Sequence, residues 1–574
     1  MIRKASPKVM IIGIDGGTFD LISPWVKEKK LPNFERLMSE GLWGELTSTI
    51  PPVTAPAWTS FMTGQNPGKH TLFHFIEPKP DSYEFRYTNA ISRNSKTIWG
   101  LLSENNVRVG VLNVPMTYPP EPVNGYMISG MGTPDEDCRF TYPEGLKDEL
   151  KKAFGSVKLG VQYLGDIRTD KRRHEFLNEV VTIEDRITDI TLYSMERYPT
   201  DIVMTVYRSP DQVQHLFWQY MDRSHPNFDP SGAEQFGSAI FDIYKRLDNN
   251  IGRLMQKLPE ETSVVLMSDH GAGPTGGTAL YLNRYLEKIG MLKYKHNNRS
   301  IRTKMGNSLK HYTDNFLRRF FTSDLKAKLI KTFPDLFNKW QAHSTAFSAI
   351  DWTETKAFCY EVLTFPPDIW INKKGLWPAG IVTEEEYPAV ISSLKEKLYS
   401  LKHPQTDRPL IKKVYEKSEV YEGQHLSAAP DLIVDWWSED SFVYMPTSNP
   451  DGEDFMCDIT GKKVITGTEW SGTHRLNGMV LFKGKEFGNG VLNNNIHITD
   501  LAPILLHLLK VPVPKDMDGR VPASIFDADY LRKNPINYAD NELSTVPANK
   551  DKETYTEDEV VKIEERLRNL GYIN

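Results

Sequence analysis

The sequence predicts an α/β protein with a mostly parallel central sheet flanked by helices. Three observations carry that reading. The strand-type runs are short and continuously apolar, as in Val9-Met10-Ile11-Ile12-Gly13-Ile14, which is the pattern of strands buried on both faces. Longer stretches of helical spacing separate them, as strand–helix–strand crossovers require. The runs also end in turns rich in glycine and carboxylate, such as Asp15-Gly16-Gly17, at the sheet edge where α/β proteins bind ligands.

From the amino end, Val9–Ile14 is the first strand. Residues 31–38 have helical spacing, with Pro32 suited to a first turn and Gly41 placed to stop the helix. Further strand-like runs lie at 107–114, 201–206, 263–267, 431–434 and 478–482, with helical patterns at 174–196 and 237–258. Between 291 and 343 the charge balance changes: twelve Lys or Arg stand against three Asp, a net +9, in a helical pattern carrying Phe316, Phe320, Phe321 and Trp340. That segment reads either as a solvated helical insertion or as a cap that attracts an anionic substrate, an acidic partner or a membrane surface. Core-like sequence resumes at Ala429-Pro430-Asp431. Residues 537–552 form a polar linker, and 556–570 a charged amphipathic helix strapped to the surface. The expected organisation is a core in two parts, 1–275 and 429–530, an inserted mixed helical and α+β cap at 276–428, and a linker with C-terminal helix at 531–574.

Composition narrows the function classes. The chain has 574 residues, 39% hydrophobic and 25% charged, enough for a large core with an accessory domain. A net charge of -6 gives no global field toward nucleic acid or membrane, and no nucleic-acid-binding module is evident. Three cysteines, Cys138, Cys359 and Cys457, are too few and too scattered for a disulfide framework or a thiolate zinc site. The apolar run after Lys8 ends at Asp15, as a strand does and a signal-peptide core does not, and no apolar run reaches transmembrane length. A soluble, cytoplasmic protein is expected.

Five fragments carry chemistry. In Met267-Ser268-Asp269-His270-Gly271, an Asp-His pair follows a buried strand and puts a hard oxygen ligand beside an imidazole, although a strand-end turn would look the same. Asp15-Gly16-Gly17 offers a carboxylate with room for close backbone approach, or a helix-capping Asp. Prolines 51, 52 and 56 stiffen the approach to Thr54 and present it on a loop before a short helix. A hydroxyl at a helix N-terminus beside a metal can ionise and attack phosphorus, and it can equally be an ordinary N-cap. Asp211 and His215 are four apart, so on a helix they share a face and can reach one metal, or form a surface ion pair. Gly472-Thr473-His474-Arg475 adds a lone His in a glycine-containing loop.

Taken in order, Asp15, the Thr54-x-Pro…Thr63-Gly64 segment, Asp211-x-x-x-His215, Asp269-His270-Gly271 and Gly472-Thr473-His474 resemble the type I phosphodiesterase/nucleotide pyrophosphatase branch of the alkaline phosphatase superfamily. Residues 498–503 and 517–520 also look like that family's closing helix and turn. The resemblance implies an alkaline-phosphatase-like core and two divalent metal ions, zinc or alternatively manganese. Asp211, His215 and His474 would hold one ion; Asp15, Asp269, His270 and the Thr54 oxygen would hold the other. Two dications balance three aspartates and a Thr alkoxide, so the site is near neutral before an anionic phosphoester arrives. The implied reaction is attack of Thr54 on phosphorus, followed by hydrolysis of phospho-Thr54.

The chain also departs from the family. Where an Asn is expected about twenty residues after the nucleophile, an ungapped count reaches Phe75, leaving His74, Lys69 or a backbone N–H for the phosphate oxygen. A sulfatase would need Cys or Ser then x-Pro-x-Arg, which Thr54-Ala55-Pro56-Ala57-Trp58 lacks. A phosphomonoesterase, a phosphomutase, or a non-catalytic protein that kept the fold are the rival expectations.

Overall fold

The structure is a computed structural model that describes residues 7–569 except 162–166, 168, 296–345, 362–367, 440–441, 446, 448–453, 462–469 and 541–553. Ten described strands form the main sheet: β1 Val9–Ile14, β2 Leu42–Thr47, β3 Val109–Leu112, β4 Gly125–Ile128, β5 Thr141–Tyr142, β6 Ile202–Tyr207, β7 Ser263–Met267, β8 Asn477–Lys483, β9 Gly490–Val491 and β10 Ile496–His497. Their spatial order is β9-β2-β8-β7-β1-β6-β3-β4-β5, with β10 also beside β2. The centre, from β7 through β1, β6 and β3 to β4, is parallel. β8 runs antiparallel to both β7 and β2. The predicted α/β class is therefore observed, with antiparallel pairings on both flanks of the parallel centre.

Continuous apolar sequence becomes buried strand: every residue of β1, β6 and β7 is buried. Each such Val, Ile or Leu contributes roughly 1.5–3 kcal/mol by leaving water. Around the sheet lie the helices α1 Thr54–Thr63, α2 Asp170–Arg197, α3 Ser209–Met221, α4 Ala239–Met255 and α5 Glu557–Asn569, among others. In α4 the buried residues Ile240, Ile243, Tyr244, Leu247, Ile251 and Leu254 recur every three or four positions, forming one apolar stripe against the core. The pattern at 31–38 is the helix Pro32–Glu40, with Pro at the first position and Gly41 just beyond the end.

The apolar run at 431–434 does not enter the main sheet. Its strand, Leu432–Val434, pairs with Ile369–Ile371 and Val414–Glu416 in a separate four-stranded sheet. Periodicity marks such a run as a strand without saying which sheet receives it. The accessory sheet is tied to the core by a hairpin, Ile76–Pro78 with Phe85–Tyr87. Tyr83 at its tip stacks on Trp352 at 3.7 Å and faces Trp377 at 5.5 Å, while its hydroxyl donates to Asn372 and accepts the Ala379 N–H. The C-terminal helix α5 docks through buried Ile563 and Leu567, and Tyr555 donates to the Gly132 carbonyl at 2.8 Å. Of the basic segment 291–343, residues from 296 onward lie outside the described residues. No described helix is long and apolar enough to cross a membrane.

Candidate metal centre

Strand register assembles the site. Ile14 is level with Tyr207, and Gly13 with Met267, so the residues after β1, β6 and β7 emerge side by side at the carboxyl edge of the sheet. Asp15 follows β1 and donates its N–H to the Tyr207 carbonyl at 2.9 Å. The Asp211 N–H donates to the Asp15 carbonyl at 3.1 Å, which seats the first turn of α3 against that edge. His215 lies one helical turn further on, on the same face. After β7, Asp269 accepts the Gly16 N–H on Oδ1 at 3.3 Å, and its carbonyl accepts the Ser48 hydroxyl. His474 arrives from the other half of the chain. Strand Gly472–Arg475 pairs antiparallel with Gly271–Pro274, setting His474 opposite Ala272. Gly472 permits this approach, because a Cβ there would lie 2.2 Å from the Gln214 carbonyl oxygen.

Six Asp and His side chains and one hydroxyl converge, all buried. His215 Nε2 is 3.0 Å from Asp211 Oδ1 and 3.1 Å from His474 Nε2, and His474 Nε2 is 3.4 Å from Asp211 Oδ1. Beside them, His270 Nε2 is 3.3 Å from Asp269 Oδ2 and 3.6 Å from Asp15 Oδ1. Thr54 Oγ1 is 3.5 Å from the same nitrogen. Each imidazole is fixed from behind. His215 Nδ1 donates to the Gly472 carbonyl at 2.8 Å, His474 Nδ1 to the Pro52 carbonyl at 2.8 Å, and His270 Nδ1 to the Gly271 carbonyl at 3.0 Å. With Nδ1 donating to a carbonyl in all three rings, all three Nε2 atoms face the cluster, where each donates to a carboxylate when protonated and offers its lone pair to a cation when not.

The electrostatics favour a counter-ion, because the buried Arg208 guanidinium offsets only part of the charge on Asp15. Burial first, then repulsion from Asp269 and Asp211, raises the Asp15 carboxyl well above its ordinary range. Burial, followed by repulsion from Asp211, pushes Asp269 up to about 8. Burial also acts on Asp211, but attraction to His215 and hydrogen bonds from His215 and His474 outweigh it and hold that carboxyl well below the usual value. His474 is pushed down to about 3 by burial and by His270. Asp15 Oδ1 and Asp269 Oδ2 are buried with no hydrogen-bond partner among the described residues. An uncompensated buried carboxylate costs several kcal/mol, and His215 Nε2 and His474 Nε2 are crowded to 3.1 Å. Cations would relieve both. Two groups have ligand atoms mutually within 4.8 Å: Asp211, His270 and His474, and Asp15, Asp269 and His270. The donor set of carboxylate oxygen and imidazole nitrogen without thiolate fits divalent metal.

Asp15, Thr54, Asp211, His215, Asp269, His270 and His474, the residues expected from the motifs, all come together here. Thr54 is not on a loop before the helix: it is the first residue of α1, and Val53 is the N-cap, with no side-chain capping bond. Pro56 is compatible with this because first-turn N–H groups have no intrahelical acceptor to lose. Lys69 is turned to the segment 516–518, with Nζ 2.5 Å from Asp518 Oδ1 and 2.9 Å from the Asp516 carbonyl. His74 is buried with Nδ1 accepting the Phe75 N–H at 2.8 Å, and burial pushes it down to about 3.

Two further neighbours belong to none of the five fragments. Arg208, buried at the end of β6, sets Nε 3.4 Å from Asp15 Oδ2. A charged residue directly after a buried strand was the available signal. Trp470 stacks on His215 with ring centroids 3.8 Å apart; nothing local announces that contact.

The sequence model of the type I phosphodiesterase / nucleotide pyrophosphatase family matches residues 9–463. The match includes Asp15, Thr54, Asp211, His215, Asp269 and His270, and ends before His474. Among solved structures, the chain is similar to murine ectonucleotide pyrophosphatase / phosphodiesterase 5, at 15% identity over 88% of this chain and 95% of that one, with a TM-score of 0.46. The human counterpart shows 14% identity over 92% and 99%, with a TM-score of 0.45. Phosphonoacetate hydrolase from Sinorhizobium meliloti 1021 shows 12% identity over 87% and 95%, with a TM-score of 0.47. No curated protein sequence matches.

Proposed function

The chain belongs to the type I phosphodiesterase / nucleotide pyrophosphatase family, and we propose that it is a two-metal phosphodiesterase with Thr54 as nucleophile. The observation that carries this reading is the convergence of three imidazole Nε2 atoms and three carboxylates on one buried point beside the Thr54 hydroxyl. Asp211, His215 and His474 are assigned to one cation, and Asp15, Asp269, His270 and Thr54 Oγ1 to the other, with His270 also within reach of the first; zinc is favoured by the Asp/His donors and manganese is the alternative. When bound, the two cations supply charge neutralisation for the phosphoryl oxygens and favour ionisation of the Thr54 hydroxyl.

The protein's own groups do the rest. Thr54 Oγ1 attacks phosphorus, the ester oxygen departs with its bonding pair, and water then cleaves phospho-Thr54 to restore the hydroxyl. Position at the start of α1 gives Thr54 the positive end of a ten-residue helix, which favours the developing negative charge. The carbonyls of Gly472, Pro52 and Gly271 keep each imidazole in one tautomer and orientation. Arg208 holds Asp15 Oδ2, leaving Oδ1 toward His270. The substrate class is an anionic phosphodiester. Free thiols at Cys138, Cys359 and Cys457 suit a reducing compartment, and we place the protein in the cytoplasm.

The test is hydrolysis of bis-nitrophenyl phosphate against mono-nitrophenyl phosphate, after chelation and readdition of zinc or manganese. Faster diester turnover with metal supports the reading. Faster monoester turnover replaces it with a phosphomonoesterase, and no turnover combined with no bound metal replaces it with a non-catalytic fold.

A further inference from the structure

Outside the metal centre, two guanidinium groups converge from distant parts of the chain. Arg566, on α5, donates through Nη1 to the Thr133 carbonyl. A Cβ placed on Gly160 would lie 2.9 Å from Arg566 Nη2 and 3.8 Å from Arg208 Nη1, so both cations approach the same glycine. Arg208 is the residue that contacts Asp15. A small open pocket lies at this junction, lined among others by Ser129, Thr133, Lys158, Gly160 and Arg566. Its acidic lining residues are already engaged. Asp135 pairs with Lys562 at 2.5 Å, and Glu136 accepts the Ser156 hydroxyl at 2.8 Å and the Val157 N–H at 2.9 Å.

Like charges in a partly desolvated place repel unless anions balance them, and Asp15 beside Arg208 and Asp135 near Arg566 offset only part of that repulsion. Burial and the neighbouring Arg208 accordingly push the Arg566 guanidinium down to about 10. Arg566 Nε is buried with no hydrogen-bond partner among the described residues, and the exposed Lys158 is among the lining residues. Gly160 matters for its missing side chain: any larger residue would occupy the space against Arg566. We propose that this pocket is a second oxyanion site, which binds a phosphate-class group on Arg566 and Lys158 with Arg208 behind Gly160, and that the C-terminal helix completes it. The group is either free inorganic phosphate or a second anionic group of the substrate; both present the same tetrahedral oxyanion to planar guanidinium donors.

Equilibrium binding of radiolabelled inorganic phosphate to the full-length, metal-loaded protein tests the proposal, and its readout does not depend on turnover. The expected stoichiometry is about two phosphates per chain, one displaced by phosphodiester substrate and one not. Arg566→Gln and Lys158→Gln should each weaken the undisplaced phosphate by at least about tenfold, as loss of a charge-assisted hydrogen bond does. Lys158 is exposed, so its variant stays informative if Arg566→Gln compromises folding. A single phosphate fully displaced by substrate, or a second phosphate bound equally well by both variants, overturns the proposal. The source is read from kinetics: Lys158→Gln raising KM more for pyrophosphate-linked substrates than for bis-nitrophenyl phosphate marks a substrate group, whereas added phosphate changing both rates alike marks a free anion.

Discussion

Thr54 Oγ1 lies 3.5 Å from His270 Nε2, and both side chains are fully buried. The same nitrogen is within 3.6 Å of Asp15 Oδ1 and 3.3 Å of Asp269 Oδ2. His270 is also the one residue common to both groups of potential metal ligands among the described residues. The proposed nucleophile and both groups of potential metal ligands therefore meet at one imidazole, whose orientation is set by its bond to the Gly271 carbonyl.

Loss of His270 should accordingly cost more metal than loss of His215. In His270→Ala, metal content measured by mass spectrometry after gel filtration should fall below about one per chain. His215→Ala should keep about one, held by the group around Asp15 and Asp269. Equal metal content in the two variants would remove His270 from its shared position.

Arg208 bears on the same centre from the other side of Asp15. Removing a group that orients a metal ligand typically costs about ten- to a hundredfold in affinity or activity, and Arg208→Ala should lose that much in kcat/KM. Arg208→Lys should recover part of it, because the charge remains while the planar fork is lost. Unchanged rates and metal affinity in both variants would show that Arg208 merely fills space.

Much of this centre was legible in the sequence because its donors follow strong local signals. Asp15 and Asp269 follow short apolar runs that read as buried strands, and Asp211 and His215 carry helical spacing. His474 was legible only through the order of the other fragments, since a lone histidine has no period. Arg208 and Trp470 stayed hidden for a different reason. The Arg208 contact joins residues 193 apart, and the Trp470 stack depends on how the strand Gly472–Arg475 lies across α3. The place of Thr54 in its helix was masked by prolines that suit a loop and a first helical turn equally well. The run at 431–434 gave its strand but not its sheet, because partner choice is a tertiary property.

The metal-free protein should lose stability as pH rises. Burial, then repulsion from Asp211, pushes Asp269 up to about 8, and burial with its neighbours raises Asp15 as well. Without metal, the folded state keeps protons that the unfolded chain releases near about pH 4. The stability tied to these groups is fully present below that pH and is lost as pH climbs through about 8. Bound cations cancel the penalty, and ligand deprotonation strengthens binding in the same direction. Burial also raises Asp368 to about 8 and Glu361 to about 7, but both lie in the accessory region and act equally with and without metal. The Tm gap between metal-loaded and chelated protein should therefore widen between pH 5.5 and pH 8, by about 5 °C or more. Asp269→Asn should flatten it. A gap that is constant or narrows with pH contradicts the predicted charge balance.

Thr54 is proposed to attack phosphorus at a centre whose metal the other six side chains can hold. Metal content and phosphodiester turnover, measured together on Thr54→Ala, separate those two roles. About two divalent ions per chain are expected, with turnover of bis-nitrophenyl phosphate reduced at least about a thousandfold. Turnover retained near the wild-type rate, with those ions in place, would rule Thr54 out as the nucleophile.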